Sequence, residues 1–346
     1  MRQEKDQLNI NSFNFLRFLF AFIVLCDHFM ILSGLPYSLP ISSSVAVEGF
    51  FIISGFLIFK SYHQQPHVVK YFKKRAQRIL PAYFLVVIFM AFFCVMLSNN
   101  SFFNYFFSSS QWIKYTVSNL LFCNFIAPTL PGVFGNNPLP FVNGSLWTIK
   151  IEISFYLIVP LIFLLYKKWN SIWMFILLYF ISILYAIGME YVFSQHSVLI
   201  FHQLARQFVG QLSYFLAGGI IFLYYDWFQR KLKLLFVISI LIYALFIYQN
   251  SLIFNFIQPI ALAIIVIFFA YNLSFVNNFG KYGDFSYGLY LFHFPIIQMI
   301  VNYNIEGNNM VLKFAYAFLF TLITAILSWH LVEKRFLHSR IILSSV

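Results

Sequence analysis

Charged side chains are scarce in this chain, and their scarcity excludes an ordinary soluble domain. Asp, Glu, Lys and Arg make up only 9% of the 346 residues, whereas 61% are hydrophobic and 22% are aromatic. Soluble domains carry about 25% charged residues, so they do not account for this balance. Apolar runs of about 20 residues, separated by short polar breaks, indicate an all-α polytopic membrane protein, because helices satisfy their own backbone groups inside a bilayer.

Acidic residues, cysteines and alternating patterns are also in short supply. The 10 Asp and Glu stand against 22 Lys and Arg, and we interpret the excess of 12 positive charges as membrane topology rather than nucleic-acid binding. The 3 cysteines, Cys26, Cys94 and Cys123, lack the spacing of a C-x-x-C motif or a metal site. We therefore interpret them as packing residues and predict no metal. The absence of alternating hydrophobicity excludes a β-barrel.

The apolar runs predict about ten transmembrane helices in a single domain over residues 1–346. The first run follows Arg2 and Lys5 without a small-residue cleavage site, so we expect a retained helix rather than a signal peptide. The predicted spans are 13–33, 43–60, 79–98, 145–166, 172–190, 205–225, 234–250, 254–274, 285–303 and 312–333.

The basic residues predict the orientation of these spans. If both termini are cytoplasmic, the basic clusters at 73–78 and 230–233 lie inside and the exterior loops keep only Lys114 and Lys313. The positive-inside bias therefore favours cytoplasmic termini.

Residues 99–144 then form a long exterior loop, which we interpret as a lid or a substrate platform. Its apolar part, 112–127, is too short to span a bilayer, and we predict an interfacial or re-entrant segment there.

Ionisable side chains within the predicted spans are the candidates for function, since each is costly in hydrocarbon. Arg17 and His28 are eleven residues apart, which in an α-helix is three turns plus about 20° and a rise of about 16 Å. Both therefore lie on one face of the first span, and Asp27 adjoins His28. This polar face predicts a cavity or pathway through the bilayer. A histidine buried for packing is the structural alternative for His28.

Two carboxylates are predicted at the depth of His28. Glu48 opens the second span from the outside, and Glu152 lies about two turns into the fourth. Either carboxylate could hold and polarise the imidazole of His28. The alternative is that each neutralises a basic residue such as Lys150 or Arg206.

Two further features follow from spacing. Arg75 and Arg78 lie three residues apart at the cytoplasmic mouth of the third span, where both guanidinium groups point the same way and suit a phosphate-rich ligand. Positive-inside anchoring is the alternative. His293 lies near mid-depth of the ninth span and precedes Pro295, which frees a backbone carbonyl and bends the helix. We interpret His293, taken alone, as structural.

Six stretches, in this order, resemble acyltransferase family 3, the polytopic O-acyltransferases that decorate bacterial surface and exported glycans. The resemblance covers nearly the whole chain. It departs from the family at Glu48, where Asp is frequent, and after Glu152, where the second acidic residue is missing. No fused esterase-like domain is expected. The stretches are LRFLFAFIVLCDHF, VAVEGFFIISGFLIF, FKKRAQRILPAYF, GSLWTIKIEISFYLIVPL, GDFSYGLYLFHFPI and LSWHLVEKRF.

The resemblance implies transfer of an acyl group, most often acetyl, from a cytoplasmic acyl-coenzyme A to a sugar hydroxyl of a polysaccharide outside the bacterial cytoplasmic membrane. It also implies that His28 is catalytic and that Arg17, Arg75 and Arg78 bind the donor. We expect His28 to be a general base or a transient acyl acceptor. The groups expected to orient it are Glu152, Glu48 and Asp27, and further candidates for substrate contact or structure are Trp147, Arg206, Tyr287 and His293.

A rival interpretation from another class is a transporter or flippase for a glycan precursor or a small solute. Ten spans with a polar stripe also fit transport. The sequence lacks the inverted repeat and the paired broken helices that many transporters have, which favours the enzyme.

Overall fold

The computed structural model describes residues 12–36, 39–169, 171–248, 252–307 and 309–338, and every regular element in these ranges is helical. Short 3₁₀ turns cover Cys94–Leu97, Gly144–Leu146 and Ser274–Val276, and a π-helical turn covers Trp329–Glu333. The α-helices are α1 (Phe13–Leu32), α2 (Ser43–Gln64), α3 (Val68–Phe93), α4 (Phe102–Phe107), α5 (Gln111–Leu120), α6 (Trp147–Trp169), α7 (Trp173–His196), α8 (Leu199–Ala205), α9 (Phe208–Leu223), α10 (Tyr225–Tyr248), α11 (Leu252–Asn272), α12 (Ser286–Asn302), α13 (Met310–Ser328) and α14 (Lys334–His338).

The predicted all-helical class is confirmed for the described residues. Each of the ten predicted spans overlaps one of the long helices, and within the described ranges 7 helices are long and apolar enough to cross a membrane. Among the remaining three, α9 has 16 residues and α12 has 17. The count of ten, the cytoplasmic termini and the single domain stay predictions. Arg2 and Lys5 lie outside the described residues.

The helices pack as two compact units whose segments alternate along the chain. Unit A comprises Met1–Arg17, Val47–Tyr71 and Ile151–Lys281. Unit B comprises Phe18–Ala46, Phe72–Lys150 and Tyr282–Val346.

In unit A, α2 and α9 approach each other backbone to backbone. A Cβ atom at Gly55 would lie 1.9 Å from the carbonyl oxygen of Phe215, and one at Gly218 would lie 2.1 Å from the carbonyl oxygen of Ile52. Small residues permit such contact between helices in a membrane, where packing rather than water exclusion holds helices together. The ring of Phe215 also stacks on Phe155 of α6 with centroids 4.6 Å apart.

In unit B, α12 is enclosed by neighbours on nearly all of its faces, and residues 137–148 pack along it. The side-chain amide of Asn137 donates to the side-chain oxygen of Gln298 at 2.6 Å. The amide of Gln298 in turn donates to the carbonyl oxygens of Leu139 and Phe141 at 2.5 and 2.7 Å. The end of the long 99–144 segment is therefore tied to the buried helix α12.

The earlier part of the 99–144 segment packs against α3. The hydroxyl of Tyr105 and the indole N–H of Trp112 both donate to the carbonyl oxygen of Ala91 at 2.8 Å, and the hydroxyl of Tyr83 donates to that of Asn119 at 2.7 Å. At 10 residues, α5 is about 15 Å long, half the thickness of a bilayer core. The exterior, interfacial or re-entrant placement of this segment stays a prediction.

Candidate active site

The side chain of His28 meets that of His293 inside unit B. Nδ1 of His28 lies 2.7 Å from Nε2 of His293, and the two rings are nearly parallel, at 9°, with centroids 5.0 Å apart. His28 is half-buried on α1, whereas His293 is completely buried on α12. Two titratable rings are thus joined directly, although 265 residues separate them in sequence.

The turn of α12 that carries His293 contains a proline and is bound by an asparagine side chain. Pro295 has no backbone N–H, so the carbonyl of Leu291 loses the donor that an unbroken helix supplies. The side-chain amide of Asn143 donates to that carbonyl at 2.8 Å. The freed carbonyl that the sequence predicted is therefore satisfied, and the turn that carries His293 is held by the 137–148 segment.

Aromatic neighbours confine the imidazole pair. The ring of Phe294 packs edge-on against His28, with centroids 5.3 Å apart and planes at 81°. Tyr290 packs against His293 at 5.8 Å and its hydroxyl is hydrogen-bonded to that of Thr148 at 2.6 Å. These contacts restrict rotation of both imidazole rings.

Asp27 faces the start of the next helix. Its Oδ2 accepts a hydrogen bond from the backbone N–H of Ser43, the first residue of α2, at 3.2 Å. A carboxylate at a helix N-terminus satisfies an orphan donor and interacts favourably with the helix dipole. This contact gives Asp27 a structural role in unit B.

The two other predicted carboxylates lie in unit A, each in a polar cluster. Oε1 of Glu152 accepts from the hydroxyl of Ser54 at 2.9 Å and from the hydroxyl of Tyr156. Glu48 interacts with Tyr214 and Arg206, and its Oε2 is buried. Glu48 and Arg206 are therefore near enough for their charges to interact.

Arg17 and His28 both lie in α1, which is a continuous helix from Phe13 to Leu32. The helical spacing that the sequence predicted for them therefore applies. Arg17 belongs to unit A and is half-buried.

Arg78 is engaged by carboxylates in unit B. Its guanidinium forms an ion pair with Oδ2 of Asp284, whose Oδ1 accepts from the hydroxyl and the backbone N–H of Ser286 at 2.5 and 3.3 Å. Glu333, which is 2% exposed, interacts electrostatically with the same guanidinium, and the ring of Trp329 lies 6.0 Å from it. Arg78 thus joins α3, the start of α12 and the π turn after α13.

The remaining candidates have defined positions. Arg75 lies one turn before Arg78 on α3 and is half-buried. The hydroxyl of Tyr287 donates to the carbonyl oxygen of Ile79 at 3.0 Å, so Tyr287 also contacts α3. Trp147 is the first residue of α6 and is half-buried. Within the described ranges, no three His, Cys, Asp or Glu side chains form a group that could hold a metal ion.

Asp284 and Glu333 were missed by the sequence reasoning. A signal for Asp284 exists in GDFSYG, where an acidic residue lies two positions before the first residue of α12 and accepts a hydrogen bond from its backbone N–H. No comparable signal marks Glu333, because EKR at the end of the last predicted span has the composition of a cytoplasmic anchor.

Comparison with known proteins gives a consistent result. The model of the acyltransferase domain, acyltransferase family 3, matches residues 10–331. An O-acetyl transferase of Shigella phage Sf6 is 28% identical over 94% of this chain and 96% of its own length. Nodulation protein 10 of Rhizobium leguminosarum bv. viciae is 24% identical over 84% of this chain and 82% of its own.

The O-acetyltransferase OatA of Staphylococcus aureus is 26% identical over 84% of this chain, a match that covers 52% of OatA. The chain therefore spans about half the length of that relative. No solved structure matches the chain.

Proposed function

This chain belongs to acyltransferase family 3 and is an acyltransferase, and we propose that it is a membrane O-acetyltransferase that modifies a polysaccharide. The proposed donor is acetyl-coenzyme A on the cytoplasmic side, and the proposed acceptor is a hydroxyl of a cell-surface or exported glycan. Two relatives named as O-acetyltransferases support the acetyl group and the oxygen acceptor. The proposed location is the bacterial cytoplasmic membrane, which the multi-pass helical architecture supports.

The observation that carries the proposal is the contact between His28 and His293 in a confined part of unit B. A histidine is the side chain best suited to move a proton near neutral pH, and a positioned base contributes typically 10²–10⁴-fold to rate. His28 is half-buried and contacts the completely buried His293 through Nδ1. This combination supports His28 as the catalytic base.

His28 takes the proton of the acceptor hydroxyl while the hydroxyl oxygen bonds to the acyl carbon and the carbon–sulfur bond of the thioester breaks. The imidazolium of His28 then gives that proton to the departing thiolate. The products are the O-acetylated sugar and coenzyme A as the free thiol, so atoms and charge balance. No acyl group rests on the protein in this route.

The residues present partly fit the phosphates of the donor. Arg75 is half-buried in the first turns of α3, two residues after the exposed Lys73. Guanidinium groups bind phosphate through charge-assisted hydrogen bonds. Arg78 carries the same charge but already has Asp284 and Glu333 beside it. We therefore assign phosphate binding to Arg75, the guiding of the donor along α1 to Arg17, and an architectural role to Arg78.

The carboxylates receive roles from their own neighbours. Glu152, with the hydroxyls of Ser54 and Tyr156 on one oxygen, is a positioned acceptor suited to a sugar hydroxyl. Glu48 compensates the charge of Arg206. Both assignments belong to the proposal.

Label transfer separates the enzyme from the transporter. Membranes that contain the protein are incubated with acetyl-coenzyme A labelled in the acetyl group, and the polysaccharide fraction is isolated and counted. We expect label in base-labile esters on the glycan, and none with membranes that lack the protein. Protein-dependent uptake of a glycan precursor into sealed vesicles without any label in the glycan would support the transporter instead.

A further inference from the structure

His293 has a hydrogen-bond acceptor on one side of its ring and His28 on the other. Nδ1 of His293 lies 3.2 Å from the carbonyl oxygen of Leu289, one turn earlier on α12, and Nε2 lies 2.7 Å from Nδ1 of His28. A carbonyl oxygen only accepts hydrogen bonds, so the Nδ1 that faces it carries the hydrogen.

The hydrogen positions of both rings follow from this anchor. In a neutral imidazole one nitrogen donates and the other accepts, so Nε2 of His293 is an acceptor. The neighbouring Nδ1 of His28 must then be the donor. The remaining nitrogen of His28, Nε2, is left with its lone pair.

We propose that His293 is the positioning residue of the catalytic base: it fixes His28 as the Nδ1–H tautomer and so directs the basic Nε2 towards the substrate. The inference rests on the proposed function for the role of His28 and extends it. In catalytic triads, a carboxylate holds the imidazole of the base in one tautomer and one orientation. Here a buried, uncharged imidazole does so, without placing an unpaired charge in the membrane.

The surroundings of His293 are built to keep it in place. Asn143 holds the carbonyl of Leu291 on the same turn of α12, and the hydroxyl of Ser145 contacts the carbonyl oxygen of Tyr290 at 3.3 Å. The ring of Phe294 packs against His28 in a T-shaped arrangement, with centroids 5.3 Å apart. The relative orientation of the two imidazoles is therefore defined by packing as well as by their hydrogen bond.

Two substitutions separate positioning from packing. His293→Leu fills much of the ring volume but offers no acceptor, whereas His293→Gln places its side-chain oxygen near the position of Nε2 and keeps an acceptor for His28. We expect His293→Leu to lower kcat by about 100-fold, within the range that a positioned base contributes, with each KM changed less than about threefold because no substrate contact is lost. His293→Gln should recover at least about tenfold of that loss, since the accepting oxygen holds the tautomer.

A second readout does not depend on activity. Nitrogen-15 spectra of histidine-labelled protein in lipid distinguish a protonated from an unprotonated ring nitrogen, and a His28→Ala sample identifies the signals of His28. We expect Nδ1–H on His28 in the wild type and in His293→Gln. In His293→Leu we expect a shift towards Nε2–H, the form that free histidine favours.

The outcomes are distinct. Nε2–H on His28 of the wild type, an unchanged tautomer in His293→Leu, or full kcat in that variant overturns the inference. If His293→Leu does not fold, as judged by thermal unfolding, the wild-type spectrum still decides. Absence of acetyl transfer by the wild type overturns the proposed function, whereas loss of activity in His28→Ala with full activity in His293→Leu overturns only the role of His293.

Discussion

Replacing the partners of the Arg78–Asp284 ion pair should have unequal effects on stability, because Arg78 faces two carboxylates. The side chains of Arg78 and Asp284 are 23% and 11% exposed, so the pair lies between a surface ion pair, which contributes about 0–1 kcal/mol, and a buried one, whose disruption costs about 3–5 kcal/mol. Arg78→Gln removes the cation that Asp284 and the buried Glu333 share, and we expect a loss of about 3 kcal/mol in the free energy of unfolding.

Asp284→Asn is the milder change. The amide oxygen still accepts from Ser286 at the start of α12, and Arg78 keeps Glu333 as a partner. We expect a loss of about 1–2 kcal/mol. In the Arg78→Gln background, Asp284→Asn removes a repulsive charge, so it should be neutral or stabilising, which gives a coupling energy of about 1–2 kcal/mol.

The assay is unfolding in mixed micelles with sodium dodecyl sulfate as the denaturant, followed by tryptophan fluorescence for the wild type, both single variants and the double variant. Lys73→Gln, an exposed change on the same helix, is the control and should leave the midpoint unchanged. Additive losses, or a larger loss for Asp284→Asn than for Arg78→Gln, would refute the shared-cation arrangement.

Three further predictions concern packing and donor binding. Gly55→Ala should lower the free energy of unfolding by about 1–3 kcal/mol, because its Cβ would lie 1.9 Å from a backbone oxygen of α9. Gly135→Ala is the control and should leave it unchanged, since no atom lies within 4 Å of that Cβ position. Equal melting temperatures for the two variants would contradict this prediction. Gly144→Ala should lower kcat without preventing folding, because its Cβ would lie 2.6 Å from the Phe294 ring; unchanged initial rates contradict it. Arg75→Gln should raise KM for acetyl-coenzyme A about tenfold at nearly constant kcat, and an unchanged KM returns Arg75 to membrane anchoring.

The long helices were predictable because hydrophobic length is a local property of the chain. The boundaries were less predictable. The helix α3 begins at Val68, eleven residues before the predicted span at 79–98. The prediction missed these three turns because they carry basic residues, which hydropathy assigns to a loop. The helix α4, Phe102–Phe107, was missed for another reason, since six residues carry too little periodicity to be recognised.

The candidate site was predictable for single residues and not for pairs. His28 was recognisable because it is a titratable group within an apolar run, and placing such a group in hydrocarbon is energetically unfavourable. Its contact with His293, and that of Arg78 with Asp284, join residues 265 and 206 positions apart. Such contacts depend on how helices pack, which hydrophobic periodicity does not specify.

The central claim is that His28 removes the proton from the acceptor hydroxyl, and the most direct measurement is the initial rate of acetyl transfer to the glycan by His28→Ala in matched membranes. His202→Ala is the control, since this half-exposed histidine pairs with Glu190 at 2.8 Å in unit A and has no assigned role in transfer. We expect the His28→Ala rate to fall by at least about 100-fold while His202→Ala keeps the wild-type rate. A wild-type rate in His28→Ala, at equal amounts of folded protein, would contradict the mechanism.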